Sequence, residues 1–368
     1  MKIAIVAGTR PNFMKVAPIL AELHKAPDTF TSFFVCTGQH YDYQLSAVFF
    51  EALDLPAPDA YLDVVRDNES QQMADIIAKF DRVLATEKPD LVLVVGDVTS
   101  TSACALAASK RFIPVAHVEA GLRSGDRRLP EELTRIVTDA LSDALFTFSA
   151  DADANLLAEN IPAARIHCVG NVMIDTLLRS LPQIEATPIL DELQLTPQGF
   201  VLATVHRQSN VDDRATLAGL LDAFDSVQRR LPIVFPVHPR TRNRIAEFGL
   251  QECLEAMPNV HCIEPLGYFE IVRLQQTARW VMTDSAGLSE ETTTLGVPCL
   301  TMRENTERPI TISHGSNQLV GTDPQAIIAA ADAILARDHR TDYPTPPLWD
   351  GKSAERIVAI LRQGVTRR

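Results

Sequence analysis

Residues 91–122 read LVLVVGDVTSTSACALAASKRFIPVAHVEAGL and carry the clearest indication of the fold class. Its apolar, β-branched runs at residues 91–95 and 114–117 are typical of strands buried in a parallel sheet. Between them, residues 102–110 carry apolar side chains at helical spacing. The stretch therefore predicts a strand, a helix and a second strand that lies parallel to the first.

The same alternation continues along the chain and restarts after residues 182–197, a segment rich in proline and acid that we expect to be a linker. This pattern predicts an α/β fold with two Rossmann-like, doubly wound domains and a cleft between them. We expect residues 1–170 to form the first domain and residues 171–352 the second, with a C-terminal helix at about residues 353–368 packing back on the first. Strands are predicted at residues 2–7, 31–36, 91–95, 114–117, 144–148, 200–205, 233–237, 260–263, 280–283 and 297–301, and helices at residues 11–23, 70–85, 102–110, 130–142 and 213–229.

Length and composition indicate a globular protein of more than one domain. At 368 residues the chain is too long for one ordinary domain, and its 46% apolar and 22% charged residues are an ordinary globular balance. The formal net charge of −13 argues against nucleic acid or an anionic membrane as a partner. A local basic cluster could still bind a small anion.

The cysteines and the N-terminal residues indicate the cellular compartment of the protein. None of the six cysteines forms a Cys-x-x-Cys pair and no His/Cys cluster has metal-ligand spacing, so we expect reduced thiols and no metal. The apolar run at residues 3–7 is too short for a secretion signal, and no stretch approaches the roughly 18 apolar residues of a membrane span. These features predict a cytoplasmic protein.

Carboxylates follow two of the predicted strands and mark the candidate chemistry. Asp97 comes after the strand at residues 91–95, and Glu119 follows the next strand in a run that is uncharged apart from His117. Because ligands bind beyond the carboxyl ends of parallel strands, both side chains should face one cleft, where an acid and a base can have separated pKa values. Asp97 has an alternative role as the cap of the helix that follows.

A third carboxylate, Glu131, lies in the first turn of the helix predicted at residues 130–142, where the helix dipole favours negative charge. Its alternative role is a surface ion pair with Arg135, four residues further on. For the neighbouring Glu132 we expect a surface position.

Three strand ends are candidates for binding an anion. The Gly-Thr-Arg-Pro turn at residues 8–11 joins a strand to a helix whose first amides are free, although such turns are often only structural. The turn at residues 283–287 has the same form, and Glu291 one helical turn later could accept hydrogen bonds from ribose hydroxyls. His206, beside Arg207, could contact a phosphate or transfer a proton.

These motifs match one family in order. The matching segments are GTRP at residues 8–11, TGQH at 37–40, GD at 96–97, HVEAGLR at 117–123, PEE at 130–132, GN at 170–171, HR at 206–207, DS at 284–285 and TERP at 306–309. Over essentially its whole length, the chain resembles the non-hydrolysing UDP-N-acetylglucosamine 2-epimerases.

The resemblance implies the glycosyltransferase-B architecture, with two Rossmann-like domains and the active site between them. It also implies reversible conversion of UDP-N-acetylglucosamine to UDP-N-acetylmannosamine. In that family UDP is eliminated across carbons 1 and 2 to leave a 2-acetamidoglucal, and it then re-adds while a proton returns to carbon 2 from the opposite face. The implied partners are the UDP-sugar and a second copy of the chain, with no metal or redox cofactor, no nucleic acid and no membrane.

By analogy with the family, Asp97, Glu119 and Glu131 form the acid/base set, and His206 supports the departing diphosphate. The resemblance also implies a set of substrate-binding residues. Arg10, Lys15 and Arg308 would contact the phosphates with the amides of Ser285, Ala286 and Gly287, Glu291 would contact the ribose, and Ile271 would lie near the uracil; Arg135 and Leu266 complete the set.

Some positions differ from the best-known bacterial members of the family, and they leave the exact sugar open. They are Asn12, Ser209, Ile271, Ala286 and Ser289. Related enzymes act on UDP-2,3-diacetamido sugar acids, and a hydrolysing epimerase that releases free N-acetylmannosamine is a further alternative.

Two other aspects of the resemblance concern regulation and functional class. Gln39 and His40 resemble part of an allosteric UDP-sugar site, but Asp42 replaces a glutamine there, which argues against regulation by substrate. A glycosyltransferase of the same fold is an alternative of another class. A non-catalytic binding protein should have lost the acids that this chain keeps.

Overall fold

Apolar, β-branched runs form the strands of two parallel sheets, and one sheet lies in each of two units of the chain. One unit contains Met1–Arg179 and Pro347–Arg368, and the other contains Ser180–Pro346. The predicted α/β class with doubly wound parallel sheets is confirmed. The computed structural model describes residues 1–38, 50, 53–64, 68–337 and 342–365.

In the first unit the parallel strands follow the order β3-β2-β1-β4-β5-β6-β7. The strands are β1 Lys2–Ala7, β2 Thr31–Cys36, β3 Ala60–Tyr61, β4 Leu91–Val95, β5 Val115–Val118, β6 Ala144–Thr147 and β7 Ile166–Cys168. The helices are α1 Arg10–His24, α2 Glu69–Glu87, α3 Thr99–Lys110, α4 Pro130–Leu141, α5 Ala150–Ala158, α6 Val172–Glu185, which continues into the second unit, and α16 Ser353–Arg362.

The second unit repeats this plan, with its parallel strands in the order β10-β9-β8-β11-β12-β13. The strands are β8 Val201–Thr204, β9 Ile233–Pro236, β10 Val260–Ile263, β11 Trp280–Thr283, β12 Cys299–Thr301 and β13 Asn317–Leu319. The helices are α7 Ile189–Glu192, α8 Gln208–Val211, α9 Arg214–Gln228, α10 Pro239–Glu247, α11 Gln251–Glu255, α12 Tyr268–Thr277, α13 Ala286–Leu295, α14 Ile310–Ser313 and α15 Pro324–Leu335.

Each sheet contains a point where the strand order reverses, and ligands of open α/β sheets bind there. In the first unit it lies between β1 and β4, and in the second between β8 and β11. The segments that follow these four strands carry most of the predicted site residues. The topology therefore explains why residues far apart in the sequence meet.

The stretch at residues 91–122 folds as predicted. All five residues of β4 are buried, and they pair in register with β1 on one side and β5 on the other. The helix α3 is built almost entirely from alanine, serine, threonine and cysteine, and most of its residues are buried. Such small side chains allow α2 and α4 to pack closely against it.

The C-terminal helix α16 belongs to the first unit. Asp175 in α6 accepts hydrogen bonds from the backbone N–H groups of Ser353 at 3.1 Å and Ala354 at 2.7 Å, and α16 packs against α1. Gly170 has a φ of +92°, and a Cβ there would lie 2.1 Å from the carbonyl oxygen of Leu348. Only glycine permits this close approach.

The segment predicted as a linker, residues 182–197, is partly helical, because Pro182 lies inside α6 and Ile189–Glu192 form α7. In α4, Leu133 is 43% and Val137 45% exposed, so the apolar side chains of this helix are not all buried. Among the described residues, no helix has the length and apolar character needed to cross a membrane.

Candidate active site

The turn after β1 is anchored by Asn12. Its Oδ1 accepts hydrogen bonds from the backbone N–H groups of Gly8 at 3.1 Å and Thr9 at 3.2 Å, and its Nδ2 donates to the carbonyl oxygen of Val95 at 3.2 Å. Asn12 is buried. Asn12 therefore ties the β1 turn to the end of β4.

Glu119 is held in a buried ion pair at the end of β5. Its carboxylate contacts the ammonium of Lys15, and both side chains are almost completely buried. The backbone of Glu119 has a φ of +72°, a left-handed conformation that a non-glycine residue adopts only when its surroundings impose it. The N–H groups of Glu119 and Ala120 both donate to the carbonyl oxygen of Phe146, which holds this bend.

Asp97 is paired with Arg135, not with Lys15. The Asp97 Oδ2 atom accepts from Arg135 Nε at 3.0 Å and from Nη2 at 2.5 Å, and the guanidinium is buried. Arg135 also donates to Glu132 Oε2 at 3.1 Å. The helix α4 thus brings its cation to the end of β4.

The surface position expected for Glu132 was wrong, because this residue is only 2% exposed. Its carboxylate accepts from the backbone N–H groups of Ser124 at 2.9 Å and Gly125 at 3.0 Å. Glu132 therefore fixes the turn before α4, while its neighbour Glu131 is exposed to solvent.

A cavity of about 330 Å³ lies over these strand ends in the first unit. It brings Asp97 and Glu131 together with the turn after β1. The Lys15–Glu119 pair lies close by, since a Cβ on Gly96 would be 2.9 Å from Lys15 Nζ and 3.4 Å from Glu119 Oε2. The described residues that line the cavity are Gly8, Thr9, Thr37, Gly38, Val64, Glu69, Gln72, Asp97, Val98, Thr99, Ser100, Pro130, Glu131 and Thr134.

Some predicted residues lie outside the described part of the structure. They are Gln39, His40 and Asp42, which were compared with an allosteric site, and the side chain of Arg10, the first residue of α1.

In the second unit, Asp284 organises the segment after β8. This fully buried carboxylate accepts from the backbone N–H groups of His206 at 2.9 Å and Arg207 at 2.9 Å. Its Oδ1 also lies 3.2 Å from Nδ1 of the His206 ring, which is partly exposed. The ring of His238 lies 5.5 Å from that of His206, and burial, assisted by His206, lowers the pKa of His238. Asp284 thus fixes the orientation of a solvent-accessible imidazole.

The N-terminus of α13 has the open first turn that an anion needs. The Ser285 side chain makes no capping hydrogen bond, so its hydroxyl does not occupy the first amides of this helix. A side chain at Gly287 would meet nothing closer than Ser285 Oγ at 4.0 Å, whereas the Ser285 N–H already donates to Thr283 Oγ1 at 2.9 Å. The amides of Ala286 and Gly287 therefore have the easier access.

Glu291 is buried one turn further along α13. Its Oε2 accepts from Gln275 Nε2 at 2.7 Å, and burial raises the pKa of Glu291 to about 7. Burial also raises the pKa of the nearby Tyr268 well above its ordinary value, and the carboxylate of Glu291 raises it further. Glu291 therefore changes its charge near neutral pH.

The remaining predicted residues of this unit lie around Glu291 and α13. Arg308 is buried, contacts Glu290 and donates to Glu307 Oε1 at 2.7 Å. Leu266 and Ile271 are half-buried and pack against one hydrophobic cluster. Within the described residues, no group of histidine, cysteine and acidic side chains could hold a metal ion.

Sequence reasoning missed several partners of the site. Asn12 was noticed only as a departure from the family, and the roles of Tyr268, Gln275 and Asp284 were not predicted. Asp284 offered a usable signal, because an acid directly after a predicted strand is also what singled out Asp97. The others make contacts with residues distant in the chain, which local patterns do not reveal.

Comparison with known proteins identifies the family. The family model described as UDP-N-acetylglucosamine 2-epimerase matches residues 21–362. A UDP-N-acetylglucosamine 2-epimerase homolog of Methanococcus maripaludis is 40% identical over 98% of this chain and 99% of its own length. The UDP-2,3-diacetamido-2,3-dideoxy-D-glucuronate 2-epimerase of Pseudomonas aeruginosa is 41% identical over 98% of this chain and 99% of its own length.

A solved structure agrees with these sequence relatives. The crystal structure of the Methanocaldococcus jannaschii UDP-GlcNAc 2-epimerase, in complex with UDP-GlcNAc and UDP, has a TM-score of 0.89 and 38% identity, and the match covers 99% of this chain and 100% of that one. Similarity at this level over nearly the whole length of each protein shows common family membership, and the chain therefore belongs to the UDP-N-acetylglucosamine 2-epimerase family of enzymes.

Proposed function

We propose that this enzyme interconverts UDP-N-acetylglucosamine and UDP-N-acetylmannosamine without releasing the free sugar. The observation that carries the proposal is the cluster of three carboxylates at the reversal point of the first sheet. Asp97 and Glu131 line one cavity, and Glu119 lies against the adjacent Gly96. Family membership supports the substrate class.

Inversion at carbon 2 needs a proton to leave one face of the sugar and another to arrive on the opposite face. The hydrogen on carbon 2 is only weakly acidic, so departure of UDP from carbon 1 must run ahead and leave positive charge on the ring. Asp97, Glu119 and Glu131 supply carboxylates that can stabilise this charge and transfer protons. UDP then re-adds to the 2-acetamidoglucal as carbon 2 is reprotonated.

The leaving diphosphate needs positive charge and hydrogen-bond donors. We assign this role to His206, with Arg10, Lys15 and Arg308, and to the amides at the start of α13. The orientation of His206 by Asp284 supports its assignment. Glu291 is assigned to the ribose, and Leu266 and Ile271 to the apolar surface near the uracil.

The charge of the cavity favours a neutral sugar over a sugar acid. Arg135 balances the charge of Asp97, but Glu69 and Glu131 also line the cavity, and none of its described lining residues is lysine, arginine or histidine. A carboxylate on the sugar would be repelled by this lining. We therefore propose UDP-N-acetylglucosamine as the substrate, although the similar Pseudomonas aeruginosa enzyme acts on a diacetamido glucuronate.

We further propose that the enzyme is a homodimer. Leu133 and Val137 lie four residues apart on α4 and expose their side chains by 43% and 45%. They form a helical apolar stripe of the kind that packs against another helix. A second copy of the chain offers the same stripe, so the two could pair about a twofold axis.

The proposed reaction can be followed directly by NMR in deuterated water. Incubation with UDP-N-acetylglucosamine is expected to give UDP-N-acetylmannosamine with deuterium at carbon 2, because the returning proton comes from solvent. Free N-acetylmannosamine plus UDP would contradict the proposal in favour of hydrolysis, and no turnover without an acceptor would favour glycosyl transfer. The diacetamido glucuronate substrate, tested in parallel, should react more slowly.

Replacement of Glu119 tests its place in the acid/base set. Glu119→Gln should reduce turnover by about 10² to 10⁴-fold, the usual contribution of a positioned acid or base, while calorimetric binding of UDP survives. Glu87→Gln is the matched control, since Glu87 lies in the same unit and pairs with Lys2. Undiminished turnover in Glu119→Gln would remove this residue from the catalytic set.

Glu291 should make nucleotide binding depend on pH. Its pKa of about 7 lies above the ordinary value, so the carboxylate is charged above pH 7 and becomes neutral as the pH falls below it. Because ribose hydroxyls donate preferentially to the charged form, affinity for UDP-N-acetylglucosamine should be about tenfold lower at pH 6 than at pH 8.

This pH dependence is measured by calorimetry in the Glu119→Gln background, where turnover is suppressed. Because both phosphates of the ligand are esterified, the ligand itself does not change its charge between pH 6 and pH 8. Glu291→Gln should remove this pH dependence of affinity. Histidines that titrate in the same range and act in the opposite direction contribute equally in both proteins, so the difference between the two pH profiles reports on Glu291. Equal pH profiles for the two proteins would rule out Glu291 as the titrating group.

The dimer proposal is tested by light scattering coupled to size-exclusion chromatography. Val137→Lys should shift the protein to the mass of a monomer, because it places a charge in the proposed apolar contact. Leu157→Lys is the control, since Leu157 is 51% exposed but lies on α5. A monomeric wild type, or a Val137→Lys variant that stays dimeric, would contradict the assignment of this surface.

A further inference from the structure

His117 is a fully buried histidine with a hydrogen-bond partner on each ring nitrogen. It lies in β5, where Nδ1 is 2.6 Å from Asp139 Oδ1 and Nε2 is 2.9 Å from the carbonyl oxygen of Gly96. Asp139 is also fully buried. None of the roles assigned above to the acid/base or phosphate-binding residues uses this pair.

The two partners determine how many protons the pair holds. A carbonyl oxygen can only accept, so Nε2 of His117 carries a hydrogen. The second hydrogen bond, at 2.6 Å, needs another proton, which lies either on Nδ1 or on the Asp139 carboxyl.

The environment of Asp139 places this proton on the histidine. Its other oxygen accepts from the N–H of Gly121 at 3.1 Å and lies 2.8 Å from Arg123 Nη1. The charged guanidinium favours the ionised carboxylate, so the shared proton stays on Nδ1 and His117 donates from both nitrogens.

This imidazolium connects the backbone segments that carry two of the proposed catalytic groups. Gly96 immediately precedes Asp97, and Gly121, held by Asp139, lies two residues after Glu119. Asp139 is also one turn along α4 from Arg135, the cation that pairs with Asp97. The left-handed backbone at Glu119 therefore lies between two anchored residues. His117 on one side belongs to the ion pair, and Gly121 on the other side donates to Asp139.

We propose that His117 is a positioning residue that, as a doubly protonated imidazolium bound to Asp139, holds Asp97 and Glu119 in place for acid/base chemistry. The positioning role rests on the function proposed above, whereas the protonation state of His117 does not. A displacement of about 1 Å at reacting groups is enough to cost about 100-fold in rate, so a positioning residue acts mainly on kcat.

The protonation state is tested by ¹⁵N NMR of the full-length, histidine-labelled enzyme at pH 7.5. Both ring nitrogens of His117 are expected to show directly bonded protons protected from exchange with water, and His117→Gln assigns the signals. An unprotonated ring nitrogen at His117 would overturn the proposal.

The positioning role is tested by steady-state kinetics on His117→Gln. We expect kcat to fall by about 100-fold while KM and UDP affinity change less than about threefold. The matched control is His167→Gln, because His167 lies in β7 of the same sheet and should leave kcat unchanged. A folded His117→Gln variant with wild-type kcat, or an equal loss in the control, would overturn the role.

A second variant covers the case in which His117→Gln does not fold. Asp139→Asn can keep both hydrogen bonds, because its amide can donate to a neutral Nδ1. The Nδ1 proton signal should then disappear and kcat should fall by about tenfold at unchanged KM, since the weaker neutral bonds replace charged ones. Wild-type kcat in this variant would overturn the positioning role.

The outcomes separate this inference from the proposed function. Two protonated ring nitrogens in a wild type that does not epimerise UDP-N-acetylglucosamine would overturn the function and the positioning role with it. A wild type that epimerises, combined with variants of unchanged kcat, would overturn the positioning role alone.

Discussion

The first unit depends on carboxylates placed beyond the carboxyl ends of parallel strands, where Glu119 is almost completely buried and Asp97 is partly buried. A buried charge without a partner is costly, and removing one partner of a buried pair typically costs about 3–5 kcal/mol. The chain meets this constraint with a cation for each acid: Lys15 from α1 pairs with Glu119, and Arg135 from α4 pairs with Asp97. The helices therefore have to pack where their cations reach the sheet.

This requirement accounts for the unusual character of α4. The buried residues of this helix are polar or charged, while apolar Leu133 and Val137 face outward. Arg135 and Asp139 both lie on the buried face, so the polar side of the helix contacts the strand ends. The outward apolar side is then available for contact with another protein surface.

The second unit uses the same architecture with a different electrostatic arrangement. Asp284 follows β11 and accepts hydrogen bonds from two backbone N–H groups of the segment after β8. One carboxylate therefore joins the two strand ends at the reversal point. Glu307 accepts from Arg303 and Arg308, each at 2.7 Å, and despite its burial these cations hold its pKa below the ordinary value. Arg308, held in this way, also contacts Glu290 of α13.

The sequence predicted the long strands and the acids that follow them, because buried parallel strands are continuous apolar runs and their ends are marked by glycine and acid. It did not predict the short edge strands β3, β7 and β13, whose two or three residues carry no periodic signal. The exposed face of α4 and the burial of Glu132 also escaped prediction. Periodicity shows that a helix has two faces, but the partners across the sheet decide which face is buried.

We propose that carbon 2 of the sugar reacts at the reversal point of the first sheet. A crystal structure of the Glu119→Gln variant with UDP-N-acetylglucosamine tests this proposal. Carbon 2 is expected to lie within about 3.5 Å of the substituted side chain or of a carboxylate oxygen of Asp97 or Glu131. A sugar ring bound outside the cavity that Asp97 and Glu131 line would contradict it.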